Sequence, residues 1–168
     1  GFGRIGTFVT KIAQGFGMTV VAHDPFVSAT HAASLGVELL SIEQLLARAD
    51  IITLHLALTK DTRRLINGER LALMKKGAML VNAARGALID DAALVAALQS
   101  GQLAGAALDV FEPEPLPADS ILRTAPNIIL TPHLGASTKE AQTRVASEIA
   151  ESVRDALLKR DLRAAVNL

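Results

Sequence analysis

The chain has 168 residues, the size of one domain, and half of them are hydrophobic, but with 3% aromatic content and no Trp or Tyr its core must come from Ala, Val, Leu and Ile. Seventeen basic side chains balance seventeen acidic ones, which argues against a nucleic-acid or anionic-membrane surface. There is no Cys, no pair among His23, His31, His55 and His133 at metal-ligand spacing, no apolar run long enough to span a bilayer and no signal peptide, so a soluble, cytoplasmic, metal-free protein is expected.

The first six residues, GFGRIG, match the glycine turn G-x-G-x-x-G. Ile5, Phe8, Val9, Ile12 and Phe16 follow at helical spacing, with Gly17 as a stop. MTVVAHD (18–24) reads as a strand ending at an acid, and SIEQLLARAD as a helix with Ser41 and Gln44 as a capping box. IITLHL (51–56) is a second strand, NGERLALMKKG a helix closed by Gly77, and AMLVNAA (78–84) a third strand. DDAALVAALQSG is a helix capped by Asp90 and closed by Gly101. LAGAALDVF (103–111) and NIILTPH (127–133) are strands, separated by the proline-rich loop 112–126. A long amphipathic helix closes the chain, with Ser137 and Glu140 predicted as its capping box. Strands alternating with helices, each strand a continuous apolar run, imply βαβ units and a doubly wound parallel sheet of the Rossmann type, covered on both faces.

Such sheets bind ligands beyond the carboxyl ends of their strands. In the turn, Gly1 permits the tight bend, Gly3 lets backbone approach a pyrophosphate, and Gly6 allows close packing of helix on sheet. Asp24 stands 18 positions beyond Gly6 and can accept bonds from both hydroxyls of an adenosine ribose. It would repel a 2′-phosphate, which favours NAD(H) over NADP(H). Arg85, leaving an apolar strand, can grip a carboxylate in a bidentate bond; a plain surface arginine is equally compatible with that position. His133 follows the last strand, and the neighbouring strand end offers carboxylates at Asp109 and Glu114. A histidine beside a carboxylate is a competent proton donor and acceptor near neutral pH. Asp109 suits a cofactor contact or the holding of its loop. His23 suits a packing or cofactor-rim role, His55 the adenosine side without chemistry, and His31 a solvated polar loop.

GFGRIG, HDP, VNAARGALID, AALDVFEPEP and PHLGASTKEAQ, in this order, resemble the D-isomer-specific 2-hydroxyacid dehydrogenase family over essentially the whole chain. The resemblance is closest to the branch that oxidises 3-phosphoglycerate. It implies hydride transfer between NAD and a small 2-hydroxy or 2-oxo acid. Arg85 matches the family's substrate-binding arginine, Glu114 its catalytic carboxylate and His133 its acid–base histidine. Arg4, Ile5, Asp24, Ala84, Asp109 and Gly135 fall on cofactor-contacting positions, beside Gly1, Gly3, Gly6, Arg85 and His133. Ala57 stands where the family usually has proline, which implies a less rigid loop near the adenosine. The resemblance also implies a cofactor lobe lacking its first strand and the substrate lobe, with residues from 157 to 168 returning toward that lobe. Assembly as a homodimer or homotetramer through the cofactor lobe is implied too. Two other uses of the scaffold share these motifs: a glyoxylate or hydroxypyruvate reductase, which Asp24 disfavours, and an NAD(H)-sensing corepressor.

Overall fold

Helix α1 (Arg4–Gly15) starts at Gly3 and stops where Gly17 takes a left-handed φ of 76°. The computed structural model describes residues 1–135, 137–163 and 165, in two units, Gly1–Pro132 and His133–Leu168. The expected helix is present, but its apolar stripe is not buried: Ile5, Phe8, Ile12 and Phe16 are exposed, and the buried positions are Gly6 and Thr10.

The strand expected over 18–24 is only β1 (Val21–Ala22). It pairs in parallel with β2 (Glu38–Leu39). Between them lies α2 (Ala29–Ser34), capped by Ser28, whose hydroxyl accepts the His31 N–H at 3.2 Å. His31 is therefore helical rather than in a loop, although exposed as expected. α3 (Ile42–Arg48) carries the predicted capping box, with Ser41 and Gln44 bonded reciprocally at 3.2 and 3.0 Å.

The main sheet runs β3 (Ile51–Leu54), β4 (Ala78–Asn82), β5 (Leu103–Leu108), β6 (Ile128–Leu130), all parallel and in that spatial order. α4 (Gly68–Leu73), capped by Asn67, and α5 (Asp91–Gln99), capped by Asp90 as predicted, connect the strands. A right-handed crossover that packs a helix back on its own sheet is the common solution for parallel neighbours. Leu46, Ile66, Leu71, Leu80, Leu94 and Leu103 are fully buried in the core that results. Each such leucine or isoleucine contributes about 1.5–3 kcal/mol by leaving water. The opposite side differs from the expectation of a sheet covered on both faces. Within this unit, β4 alternates between buried Ala78, Leu80 and Asn82 and an exposed Met79, and Ile51 on β3 and Ile129 on β6 are exposed as well.

The second unit carries α6 (Lys139–Lys159), in which no residue is buried. Its cap is Thr138, whose hydroxyl accepts the Ala141 N–H at 3.1 Å, not the predicted Ser137. Ser137 instead donates its hydroxyl to the His133 carbonyl at 3.0 Å. Starting the helix one residue later moves Glu140 out of the capping-box position.

Candidate functional site

The glycine turn is wedged between the ends of two strands from different sheets. The Gly1 nitrogen donates to the His23 carbonyl beyond β1 at 3.0 Å. A Cβ on Gly1 would lie 2.4 Å from the His55 carbonyl oxygen beyond β3, so no side chain fits there. A Cβ on Gly6 would meet the Gly1 carbonyl at 2.5 Å; the close contact is with the turn itself rather than with the sheet. Gly3 is different. A Cβ there would meet nothing within 4 Å, and no side chain caps the helix that starts at this residue. An uncapped helix N-terminus with an open approach suits an anion, through its backbone N–H groups and the positive end of its dipole. Arg4 and Ile5 are exposed on the first turn of that helix.

Asp24 grips this turn. Its Oδ2 accepts the Phe2 N–H at 2.7 Å and its Oδ1 accepts the Phe26 N–H at 2.9 Å. Burial alone would raise its pKa, but those two donations, with the nearby His23, hold it below the ordinary carboxylate value. A carboxylate has about four lone-pair sites, so two remain for ribose hydroxyls. Its charge opposes a 2′-phosphate. Together, the open Gly3, the uncapped helix and ionised Asp24 fit a dinucleotide without a 2′-phosphate.

His23 packs by its Nδ1, 2.9 Å from the Leu40 carbonyl. His55 lies 3.0 Å by Nε2 from the Thr53 hydroxyl, and burial lowers its pKa. At Ala57, the departure from the family's usual proline, the loop is braced by the Thr62 hydroxyl, which donates to the Ala57 carbonyl at 2.8 Å.

Beyond the main sheet the strand ends form a level row, because Leu54 pairs with Asn82, Asn82 with Leu108 and Leu108 with Leu130. Ala84 and Arg85 follow Asn82, and Asp109 follows Leu108. Arg85 is exposed, and its guanidinium donates to the Ala84 carbonyl. Asp109 holds its neighbour: the Thr131 hydroxyl donates to its Oδ1 at 2.5 Å. Glu114 Oε1 accepts the Phe111 N–H at 2.8 Å, within a loop whose Glu112–Pro113 and Glu114–Pro115 bonds are both cis.

Four residues that sequence reasoning passed over complete this row. Asn82 is 1% exposed and bonds across the Ala84–Arg85 turn. A Cβ on Gly86 would fall 2.1 Å from the Phe111 carbonyl carbon, so the loops carrying Arg85 and Glu114 touch backbone to backbone. Arg63 makes a bidentate pair with Glu112 at 2.7 and 2.8 Å across 49 positions of chain. Only Asn82 left a local trace in the sequence, as a polar residue ending an apolar strand.

His133 and Gly135 belong to the second unit, and Arg85, Asp109 and Glu114 to the first. Both are exposed. His133 adopts a left-handed φ of 55°, which a residue with a Cβ takes at a cost and which clusters at functional sites.

Residues 1–135 match the family model described as the D-isomer specific 2-hydroxyacid dehydrogenase, NAD binding domain. The chain belongs to this family. Over all 168 residues it is 49% identical to D-3-phosphoglycerate dehydrogenase of Synechocystis sp., covering 30% of that protein. In three dimensions it is similar to a glyoxylate reductase from Paecilomyces thermophila, with a TM-score of 0.87 and 39% identity over 96% of this chain and 48% of the other. It is also similar to the D-lactate dehydrogenase of Aquifex aeolicus, solved with NAD and lactic acid, with a TM-score of 0.84 and 37% identity over 98% of this chain and 54% of the other. The chain thus spans less than a third of the curated enzyme's length and about half of each solved subunit. The parallel sheet and the glycine turn are those of the family's NAD-binding domain. Among the described residues no helix is long and apolar enough to cross a membrane, and no cluster of His, Cys, Asp or Glu could hold a metal.

Proposed function

We propose that this 2-hydroxyacid dehydrogenase domain serves an NAD-dependent oxidation of a D-2-hydroxy acid, and that the acid is 3-phosphoglycerate. The observation that carries the reading is the row of strand ends, where the Arg85 and Glu114 loops meet at Gly86 and Phe111 next to a turn open to an anion. The higher identity to the phosphoglycerate enzyme than to the glyoxylate or lactate enzymes supports the choice of acid.

NAD, held by the turn of Gly1, Gly3 and Gly6 with Arg4, Ile5, Asp24, Ala84, Asp109 and Gly135, supplies the hydride acceptor in oxidation and the donor in reduction. Arg85 holds the substrate carboxylate and orients C2, because a guanidinium matches a carboxylate in two parallel bonds. Its charge also polarises the adjacent C2 oxygen as negative charge develops there. His133 takes the proton from the C2 hydroxyl and returns it in the reverse direction. Glu114 serves as the carboxylate that favours the protonated imidazole. Assembly through the cofactor lobe is part of the proposal, supported by the exposed stripe of Val145, Ile149, Val153 and Leu157 on α6, as is a cytoplasmic location.

The test uses a full-length enzyme carrying this chain. His133→Ala cuts turnover with little loss of NADH affinity. Arg85→Ala raises KM and lowers kcat together, since the arginine serves both substrate and transition state. Glu114→Gln moves the acidic limb of the pH–kcat/KM profile to lower pH, because an imidazolium without its carboxylate gives up its proton more readily. An unmoved limb removes Glu114 from the mechanism. Faster turnover of glyoxylate or hydroxypyruvate than of the phosphorylated 2-oxo acid overturns the choice of substrate.

A further inference from the structure

The turn that presents Arg85 is built around one buried amide. Asn82 ends β4 with 1% of its surface exposed, beside a core cluster made entirely of hydrophobic side chains. Its Nδ2 donates to the Arg85 carbonyl at 2.9 Å, and its Oδ1 accepts the Ala84 N–H at 3.0 Å. Its own carbonyl accepts the Asp109 N–H at 2.9 Å, which ties the turn to the end of β5. One side chain thus donates and accepts across a three-residue span. Among side chains of this length only an amide does both with fixed geometry.

The far side of the same turn is braced differently. Gly86 lies against the Phe111 backbone, and the Phe111 N–H donates to Glu114 Oε1 at 2.8 Å. Asn82 and Gly86 therefore flank Arg85, one closing the turn from within the sheet and the other seating it on the loop of Glu114. The Arg85 guanidinium is exposed and bonds the Ala84 carbonyl inside this turn, so its direction follows the turn's backbone.

We propose that Asn82 is a positioning residue: it fixes the backbone of residues 82–85 so that the Arg85 guanidinium meets the substrate carboxylate in register. The inference rests on the reading of Arg85 as the carboxylate-binding group. A buried amide with both ends bonded is costly to disturb, because each partner left behind is an unsatisfied backbone group. A displacement of about 1 Å in a substrate-orienting group costs on the order of 100-fold in rate.

Asn82→Asp provides a readout that general loss of structure does not. The aspartate keeps an acceptor for the Ala84 N–H but sets a second oxygen against the Arg85 carbonyl. Ionised, it repels that carbonyl; protonated, it donates to it. Burial favours the protonated form, so the restored bond comes within reach as the solution is acidified. In a full-length enzyme carrying this chain, kcat/KM of Asn82→Asp relative to wild type rises as pH falls from about 8 to about 6. Asn82→Ala stays low throughout, on the order of 100-fold down, with KM for the 2-oxo acid raised. NADH affinity, followed by NADH fluorescence, falls far less than kcat/KM in both variants, because of the residues proposed to hold NAD only Ala84 lies in the disturbed turn.

A ratio that is flat with pH, or NADH affinity that falls in step with kcat/KM, overturns the proposal. If Asn82→Ala is insoluble, the pH ratio of Asn82→Asp decides alone. Arg85→Ala runs in parallel: if it leaves KM and kcat unchanged, the functional reading fails and takes this inference with it. If Arg85→Ala is impaired while the Asn82→Asp ratio is flat, only the role of Asn82 fails.

Discussion

The two halves of the first unit are built on very different foundations. The β3–β6 half stands on a cluster of nineteen buried residues, while the half made of α1, β1, α2 and β2 rests on four: Phe2, Ala22, Ala32 and Val37. Arg85, Asp109 and Glu114 project from the first half, and the glycine turn and Asp24 from the second. Arg85 and Glu114, the groups proposed to handle the substrate, thus sit on a deep core. The glycine turn and Asp24, proposed to hold the pyrophosphate and ribose, sit on a shallow one, held by hydrogen bonds and close backbone contacts at Gly1, Gly6 and Asp24. Local stability follows buried apolar contact, so the two halves are expected to open with different free energies.

Core truncation gives the largest contrast. In a full-length enzyme carrying this chain, Leu80→Ala costs about 2–5 kcal/mol in denaturant unfolding, because a fully buried leucine leaves a cavity. Val37→Ala costs about 1–2 kcal/mol, the transfer energy of two methylene equivalents. Amide exchange should likewise be slower in β4 and β5 than in β1 and β2. Equal costs and equal protection would erase the distinction between the halves.

Next in size are the turn glycines. Gly1→Ala forces the turn off the end of β3 or shifts the His55 carbonyl, an overpacking worth about 1–3 kcal/mol. The melting temperature falls accordingly, and NADH, whose proposed pyrophosphate site is the same turn, binds more weakly in titration. Gly3→Ala, facing open space, leaves the melting temperature unchanged and weakens NADH alone.

The smallest effect is the pH dependence of the Asp24 grip. Its folded-state pKa is depressed, so its contribution is complete above the ordinary carboxylate value of about 3.9 and fades as pH falls through the lower folded value. Wild type therefore loses more stability than Asp24→Ala on acidification from about pH 5 to about pH 3. The same substitution narrows the preference for NAD over NADP in titrations at neutral pH.

Much of this architecture was legible because its signals are local. The Ser41–Gln44 box, the Asp90 cap and the stop at Gly101 are each written within a few residues. Arg85 and Asp109 stood out as charges ending apolar runs. Helix α2 was not legible, since ATHAAS offers six mostly small residues with no apolar stripe, and β2 is two residues long. The exposed stripe of α1 misled in the other direction: spacing predicts the helix but not whether anything covers it. Gly86 gains its meaning from Phe111, and Arg63 from Glu112, partners set by the fold rather than by neighbouring sequence.

The three glycines of the opening turn answer to different masters. Gly1 and Gly6 are fixed by the protein's own carbonyls, and any lineage that keeps the fold has to keep them small. Gly3 is fixed by nothing in the chain. Under the proposed role of the turn, its smallness serves only the guest. In a descendant that abandoned the nucleotide but kept the scaffold, Gly3 is free to drift first. The order in which these three positions decay in a family tree would record when binding lapsed, separately from when folding did.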